Sequence, residues 1–549
     1  MAETTESSLQ HPRKQTTLLS QKRKHNQLAP ISRLPIEVLG EIFGHLQTQI
    51  YDHCNDPDEP GYHPFLRWIP VVTHVCHAWR EVAIHTAVLW QDVSVAASPS
   101  WAVEFALRSK NARLHITASN SGVDTIEKMR PVIRDCTEHL VQASVQRVQT
   151  IVLDRFPCCS VHRILSCRSS PTNECVTFPV LSRLEVATLE PLVLTNDSLC
   201  APSLKSLEVR DFCSVDWKAF SLLQNISYLD ISTFSDASVA DLGAIHKALC
   251  QMPNLIELAL YPEDNVVGPK AIVLPAAPYR PATLPNLRRI CLKTYFSIWL
   301  SSILQCIAYG PRRDLSISVT CDAVADIKEL LSKFPSIVQH AEESSIRSLY
   351  IQMVTGRIHF TGWRRVERHN AWHDASINIA ISMPTTLRPP PSYPFGLSVL
   401  LLNKSLSGVH LRRLTSLSLV FNEPVPAETW VRLFGSLPNL LMVDIRLGLC
   451  ELCAALVNDI RVTPESPHLS STTNDCIIPF RALQSITVRE EKGPYSDGDM
   501  DYMLRCLRKR VDRKVPLKKI IFDKDVKDHG LELGVKELVE FVVGTTSSK

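Results

Sequence analysis

One pattern recurs along this chain and restricts its fold more than any other feature. "FPVLSRLEV" (178–186), "APSLKSLEV" (201–209), "MPNLIELAL" (252–260), "LPNLRRICL" (284–292) and "LPNLLMVDI" (437–445) all read apolar-Pro-x-Leu-x-x-apolar-x-apolar. "VQRVQTIVL", "NISYLDI", "LTSLSLV", "FRALQSITV" and "PLKKIIF" are copies without that proline. The last two apolar positions alternate as one face of a strand requires. The first leucine then packs in the turn leading into the strand, and the proline fixes an extended entry. Leu181, Leu184, Val186, Leu204, Leu207, Val209, Leu255, Leu258 and Leu260 are therefore expected to be buried, the last two of each set on successive parallel strands.

Amphipathic helical runs lie between the copies. "VADLGAIHKAL" places Val239, Leu242, Ile245 and Leu249 on one side, and "AVADIKELLSKF" does the same with Val324, Ile327, Leu331 and Phe334. "ETWVRLF" and "DMDYMLRCLRKRV" behave alike. Strand and helix alternating at intervals of roughly 22–33 residues read as a leucine-rich-repeat-like α/β solenoid with parallel strands. An ordinary doubly wound α/β domain also alternates and is the rival. Proline-rich or polar interruptions fall near 262–285, 387–394 and 463–475.

Ahead of the array stands "SRLPIEVLGEIFGHL" (32–46). Pro35 suits a first helical position, and Glu37 complements the positive end of the helix dipole. Val38, Leu39, Ile42, Phe43 and Leu46 form one wide apolar stripe. The acidic, proline-containing stretch "QTQIYDHCNDPDEPGYHPFLR" (47–67) reads as a loop. The next helix, in "WIPVVTHVCHAWREVA", starts at Pro70 and gathers Val72, Val75, Cys76, Trp79 and Ala83 on one face. The expected organisation is a disordered polar tail over 1–30, a small helical domain over 31–95 and the repeats over 96–549.

Charge and cysteine usage narrow the setting. The formal net charge is only +3 over 549 residues, which argues against an electrostatic nucleic-acid binder. No apolar run spans a bilayer and no signal-peptide core is visible. Seventeen cysteines without framework spacing suit a reducing compartment, cytoplasmic or nuclear. "QKRKH" (21–25) reads as a solvated tail or as a nuclear localisation signal.

The segment over 32–92 resembles the F-box. Leu34, Pro35, Glu37, Val38, Leu39, Ile42, Phe43 and Leu46 match its first half; Val75, Cys76, Trp79, Arg80, Leu89 and Trp90 match its second. A long acidic insert between Leu46 and Trp79 departs from the typical short connection. The resemblance implies a substrate-recognition subunit of a Skp–cullin–F-box ubiquitin ligase, without catalytic residues, cofactor or metal. It implies that Leu34, Pro35, Val38, Leu39, Ile42, Phe43, Leu46, Val75 and Trp79 dock on the Skp adaptor, and through it on the cullin scaffold. The repeats would then hold a protein substrate. The alternative is a non-catalytic repeat scaffold whose helices only cap the solenoid, since a first repeat needs a cap.

Motifs for chemistry are weak. Cys450 and Cys453 form a lone CxxC without the second ligand pair that zinc needs, so burial is expected. His369 and His373 stand at i, i+4 but lack the glutamate of HExxH. Trp217, Trp299 and Trp430 sit in apolar helical patterns and are expected in the core. There is no P-loop lysine motif, nucleophile elbow or dinucleotide glycine fingerprint.

Overall fold

A computed structural model describes residues 20–21, 24–26, 28–53, 64–120, 130–166, 177–196, 199–218, 223–232, 242–261, 281–294, 297–308, 314–320, 346–354, 357–363, 377–382, 411–421, 424–457, 478–489, 497–522 and 538–543. Most of the polar tail, the helical run over 323–334, the histidine pair at 369 and 373, and the interruptions at 387–394 and 463–475 lie outside these residues. The chain divides into two compact units, residues 1–238 and 239–549.

The first unit opens with helices α1 (Ile36–His53), α2 (Pro64–Thr73) and α3 (His77–His85), then a 3-10 turn at Ala87–Trp90. Six strands follow among the described residues: β1 (Asp92–Ser94), β2 (Leu114–Ser119), β3 (Val148–Phe156), β4 (Arg183–Leu194), β5 (Ser206–Val215) and β6 (Tyr228–Ile231). Each pairs in parallel with the next, in chain order. Between them run α4 (Pro99–Arg108), α5 (Arg130–Ala143) and α6 (Cys158–Ser166), packed on β1 to β4. Period-2 alternation turns Ile116, Ile151, Leu184, Leu207 and Leu229 inward, where Ile133, Leu140 and Ile164 of the helices are also buried.

The second unit contains α7 (Leu242–Cys250), β7 (Glu257–Leu260), β8 (Ala282–Thr283), β9 (Arg289–Thr294), α8 (Ser297–Cys306), β10 (Ile307–Ala308) and β11 (Asp314–Thr320). It continues with β12 (Ser348–Val354), β13 (Arg357–Trp363), β14 (Ile377–Ser382), β15 (Ser416–Phe421), α9 (Ala427–Trp430), β16 (Met442–Ile445) and α10 (Leu449–Val457). The last elements are β17 (Ser485–Val488), α11 (Asp497–Asp512), β18 (Lys519–Phe522) and β19 (Glu540–Val543). β7, β9 and β11 pair in parallel, as do β15 to β19. Between these sets the spatial order reverses to β11–β14–β13–β12–β15, with β13 antiparallel to both neighbours. The uninterrupted parallel succession expected from the sequence therefore fails here. Only two residues separate β12 from β13, enough for a hairpin and far too few for a parallel crossover.

All five proline-containing copies place their leucines and following apolar pair in the core, each ending in a parallel strand. The proline acts differently from the expected extended entry. In three copies the leucine N–H donates to the carbonyl three residues earlier: Leu204 to Ala201 at 3.1 Å, Leu255 to Met252 at 3.2 Å, and Leu287 to Leu284 at 3.2 Å. Proline thus occupies the second position of a β-turn, where its fixed φ is already correct. The unassigned "x" also has a task. Ser203 donates to the Pro179 carbonyl, Asn225 to Pro202, Asn286 to Pro253 and Asn439 to Arg412, at 2.6 to 3.1 Å. Each tie reaches from one turn to the turn before it.

Candidate functional site

Helix α1 is where the sequence most strongly suggests a binding surface. The Pro35 carbonyl accepts the first helical bond, from the Leu39 N–H at 3.1 Å, so Pro35 is the cap and Ile36 the first helical residue. The helix runs on to His53, through residues read above as loop. Gln47 explains the extension. It is buried and donates to the Leu89 carbonyl at 3.1 Å and to the Tyr51 hydroxyl at 2.9 Å, which ties the added turns to the 3-10 segment.

The second expected helix divides in two. Pro70 lies inside α2, not at a helix start, and cannot donate to the carbonyl four residues back. α2 ends at Thr73, and extended backbone at Cys76 begins α3. Arg80 Nε donates to the Thr73 carbonyl at 2.9 Å, satisfying one of the carbonyls freed at that end.

The apolar stripe of α1 separates into two adjacent rows. Leu39 and Phe43 are 5% and 1% exposed; Phe43 packs against Trp79 with ring centroids 5.1 Å apart. One residue over, Leu34, Val38 and Ile42 are 37%, 39% and 40% exposed. Pro35 is exposed as well, Leu46 and Trp79 are half-buried, and Val75 is exposed at the α2–α3 junction. Of the nine residues expected to touch a partner, Leu39 and Phe43 hold α1 to its own unit. Leu34, Pro35, Val38, Ile42 and Val75 face outward. Ile36 and Val71, which motif matching did not single out, are also exposed apolar residues of α1 and α2.

The helical segment is bound firmly to helix α4, the first helix of the strand array. Trp90 lies 5.1 Å from Trp68 and 4.9 Å from Phe105 of α4, and its Nε1 donates to the Ala83 carbonyl at 2.8 Å. The Arg108 guanidinium sits 4.4 Å from the centre of the Trp90 ring. The core is thus continuous across residue 95, where a boundary between domains was expected.

A second surface lies on the sheet face turned away from the helices. Register aligns Glu185, Glu208 and Asp230 on β4, β5 and β6. Arg183 approaches Glu185 and Glu208 at 3.4 and 3.7 Å; Arg210 pairs with both from the other side. Like charges on adjacent strands repel. Burial, then the Glu208 charge, push Asp230 up to about 6; the same two causes raise Glu185. Two guanidiniums bridge Glu185 and Glu208, and the Arg210 charge only partly offsets what raises Asp230.

Trp217 and Trp430 are buried as expected, and the Trp299 side chain lies outside the described residues. Cys453 is buried and Cys450 half-buried. Among the described residues no three metal-ligating side chains converge, and no helix is long and apolar enough to cross a membrane. Comparison with protein-family models and with curated proteins finds no match to this chain.

Proposed function

We propose that this chain is a substrate-recognition subunit of a Skp–cullin–F-box ubiquitin ligase. The observation that carries the reading is the divided stripe of α1: Leu39 and Phe43 serve the core while Val38 and Ile42, with Leu34 just ahead of the helix, stand uncovered beside them. Exposed apolar side chains gathered on one short element mark a surface for a partner. Covering each contributes on the order of 1.5 kcal/mol. The resemblance of this segment to the F-box pattern implies the Skp adaptor as that partner. The strand–turn copies, tied turn to turn by Asn and Ser, support a leucine-rich-repeat-like solenoid behind it. Such an array holds a protein substrate near the charged ubiquitin carrier and acts by proximity, with no catalytic residue of its own.

A second reading is a scaffold in which α1 to α3 only cap the array. The aromatic contacts of Trp90 with Trp68 and Phe105 favour it, because they give the segment a structural task. Reconstitution separates the two readings. Full-length protein mixed with purified Skp adaptor should co-elute from a gel-filtration column as a stoichiometric complex. Separate elution at micromolar concentrations would leave the cap reading in place.

A further inference from the structure

Strands β3 to β6 carry their charges on the sheet face turned away from the helices, and the two signs do not balance there. In the regularly paired stretches, Asp154, Glu185, Glu208 and Asp230 stand against Arg183 and Arg210. The chain as a whole has a small positive excess, so the sign is reversed locally. Both arginines are taken up by the inner carboxylates, each pairing with Glu185 and with Glu208. Asp154 accepts a hydrogen bond from the Ser119 hydroxyl at 2.6 Å. Asp230, one strand beyond Glu208, accepts from the Tyr228 hydroxyl at 3.3 Å and has no ion pair among the described residues.

This face is open to solvent. Arg183 and Arg210 are 52% and 49% exposed. Past a break in register between Thr188 and Leu192, the same two strands present Val193 and Phe212, which are 50% and 52% exposed. Val193 is paired with Ser214, so it shares a side of the strand pair with Phe212, two residues before Ser214. Phe212 follows Glu208 by four residues along β5. Uncovered apolar surface thus begins within one short extended peptide of the surplus negative charge.

We propose that this face docks a lysine-bearing segment of a partner protein, with the ammonium against Asp230 and an apolar neighbour of that lysine against Val193 and Phe212. The inference rests on the reading above in which the strand array holds a protein. Charge complementarity selects the cation. Lysine fits better than arginine, because Glu185 and Glu208 already engage guanidiniums and Asp230 shares one oxygen with Tyr228. A compact ammonium is satisfied by a point contact, whereas a guanidinium fork is best used by a carboxylate with both oxygens free. The two exposed arginines repel a cation placed over β4 and so fix its position toward β6.

The test titrates fluorescein-labelled peptides into the full chain at pH 7.5 and low salt, read by fluorescence anisotropy. The probe is a short glycine–serine peptide carrying two lysine–leucine pairs. Acetylating its lysines, which removes only charge, should weaken binding by about fivefold or more. Asp230→Asn should weaken the unmodified probe by about threefold and Asp230→Lys by about tenfold. Phe212→Ser should weaken it by about threefold. Asp135→Asn, which removes an exposed carboxylate from α5 on the helical side, should leave affinity within about twofold. Thermal unfolding of each variant checks that it is folded, and if Asp230→Lys fails to fold, Asp230→Asn decides. Equal binding of the acetylated probe, an equal loss from Asp135→Asn, or no binding of the probe overturns the proposal. Skp adaptor is titrated into the same samples. Adaptor binding without selectivity for the lysine probe overturns this inference alone, and selectivity without adaptor binding overturns ligase membership alone.

Discussion

Arg510 is fully buried and donates to three main-chain carbonyls, those of Leu456, Pro479 and Phe480, at 3.0 to 3.3 Å. Burial, then the nearby Arg513 charge, lower its pKa to about 10, so it stays charged at neutral pH. The Leu456 carbonyl belongs to the last turn of α10, where helical partners run out. Arg147 does the same for the end of α4, donating to the Ala106 and Ala112 carbonyls. Arg510→Met should cost about 3 kcal/mol, because three buried acceptors lose their donor at once. Arg510→Lys should recover little, since an ammonium lacks the fork geometry. Urea denaturation of both variants measures this; a loss below about 1 kcal/mol for the methionine variant would contradict the assignment. Asp230 works in the opposite sense. Its folded pKa of about 6 lies above the unfolded value near 3.9. Between those values the native state holds a proton that the unfolded chain has lost, so this group's contribution to stability grows as pH falls from about 6 to 4. Asp230→Asn should raise the melting temperature at pH 7.5 by about 2 °C and flatten its dependence over that window. Calorimetric scans at pH 7.5, 6 and 4.5 check both effects; a lower melting temperature at pH 7.5 would refute the strain in the carboxylate row.

At the scale of elements, the turn-to-turn ties make one clear prediction. Asn286→Ala removes the donor to the Pro253 carbonyl and should cost about 1 kcal/mol, read as a shift in urea midpoint. Asn286→Asp removes the same N–H and should cost at least as much. The strands were legible because both their signals are local: alternation at period 2, and the proline that starts the turn. Even the copies without proline, such as "FRALQSITV" and "PLKKIIF", become β17 and β18. The role of Asn and Ser at the "x" position was visible in the same strings but has no meaning until neighbouring turns are stacked. The reversed β12–β14 order carries no repeat motif; its short β12–β13 connection was the available sign. The division of the α1 stripe was not legible. Val38 and Leu39, or Ile42 and Phe43, are neighbours on one apolar arc. Only the packing of Trp79 against Phe43 decides which row is inside. Phe43→Ala should therefore cost about 3–4 kcal/mol in thermal or urea unfolding, the range for an emptied aromatic core site.

At the scale of the whole molecule, the proposed reading assigns one task to each part: the exposed row of α1 joins the ligase, and the strand array holds the target. The continuous core around Trp68, Trp90 and Phe105 means that deleting residues 32–92 would damage the array along with the docking surface. Point substitutions on the exposed row avoid that confusion. Val38→Asp combined with Ile42→Asp places two charges where an adaptor would lay apolar surface, yet leaves Leu39 and Phe43 in place. The most direct measurement is isothermal titration of full-length protein with purified Skp adaptor, paired with thermal unfolding of the same samples. The account predicts tight binding by the native chain, a loss of at least tenfold in affinity for the double variant, and melting temperatures within about 2 °C of each other. Equal affinity of the two proteins for the adaptor, or no binding by the native chain, would contradict it.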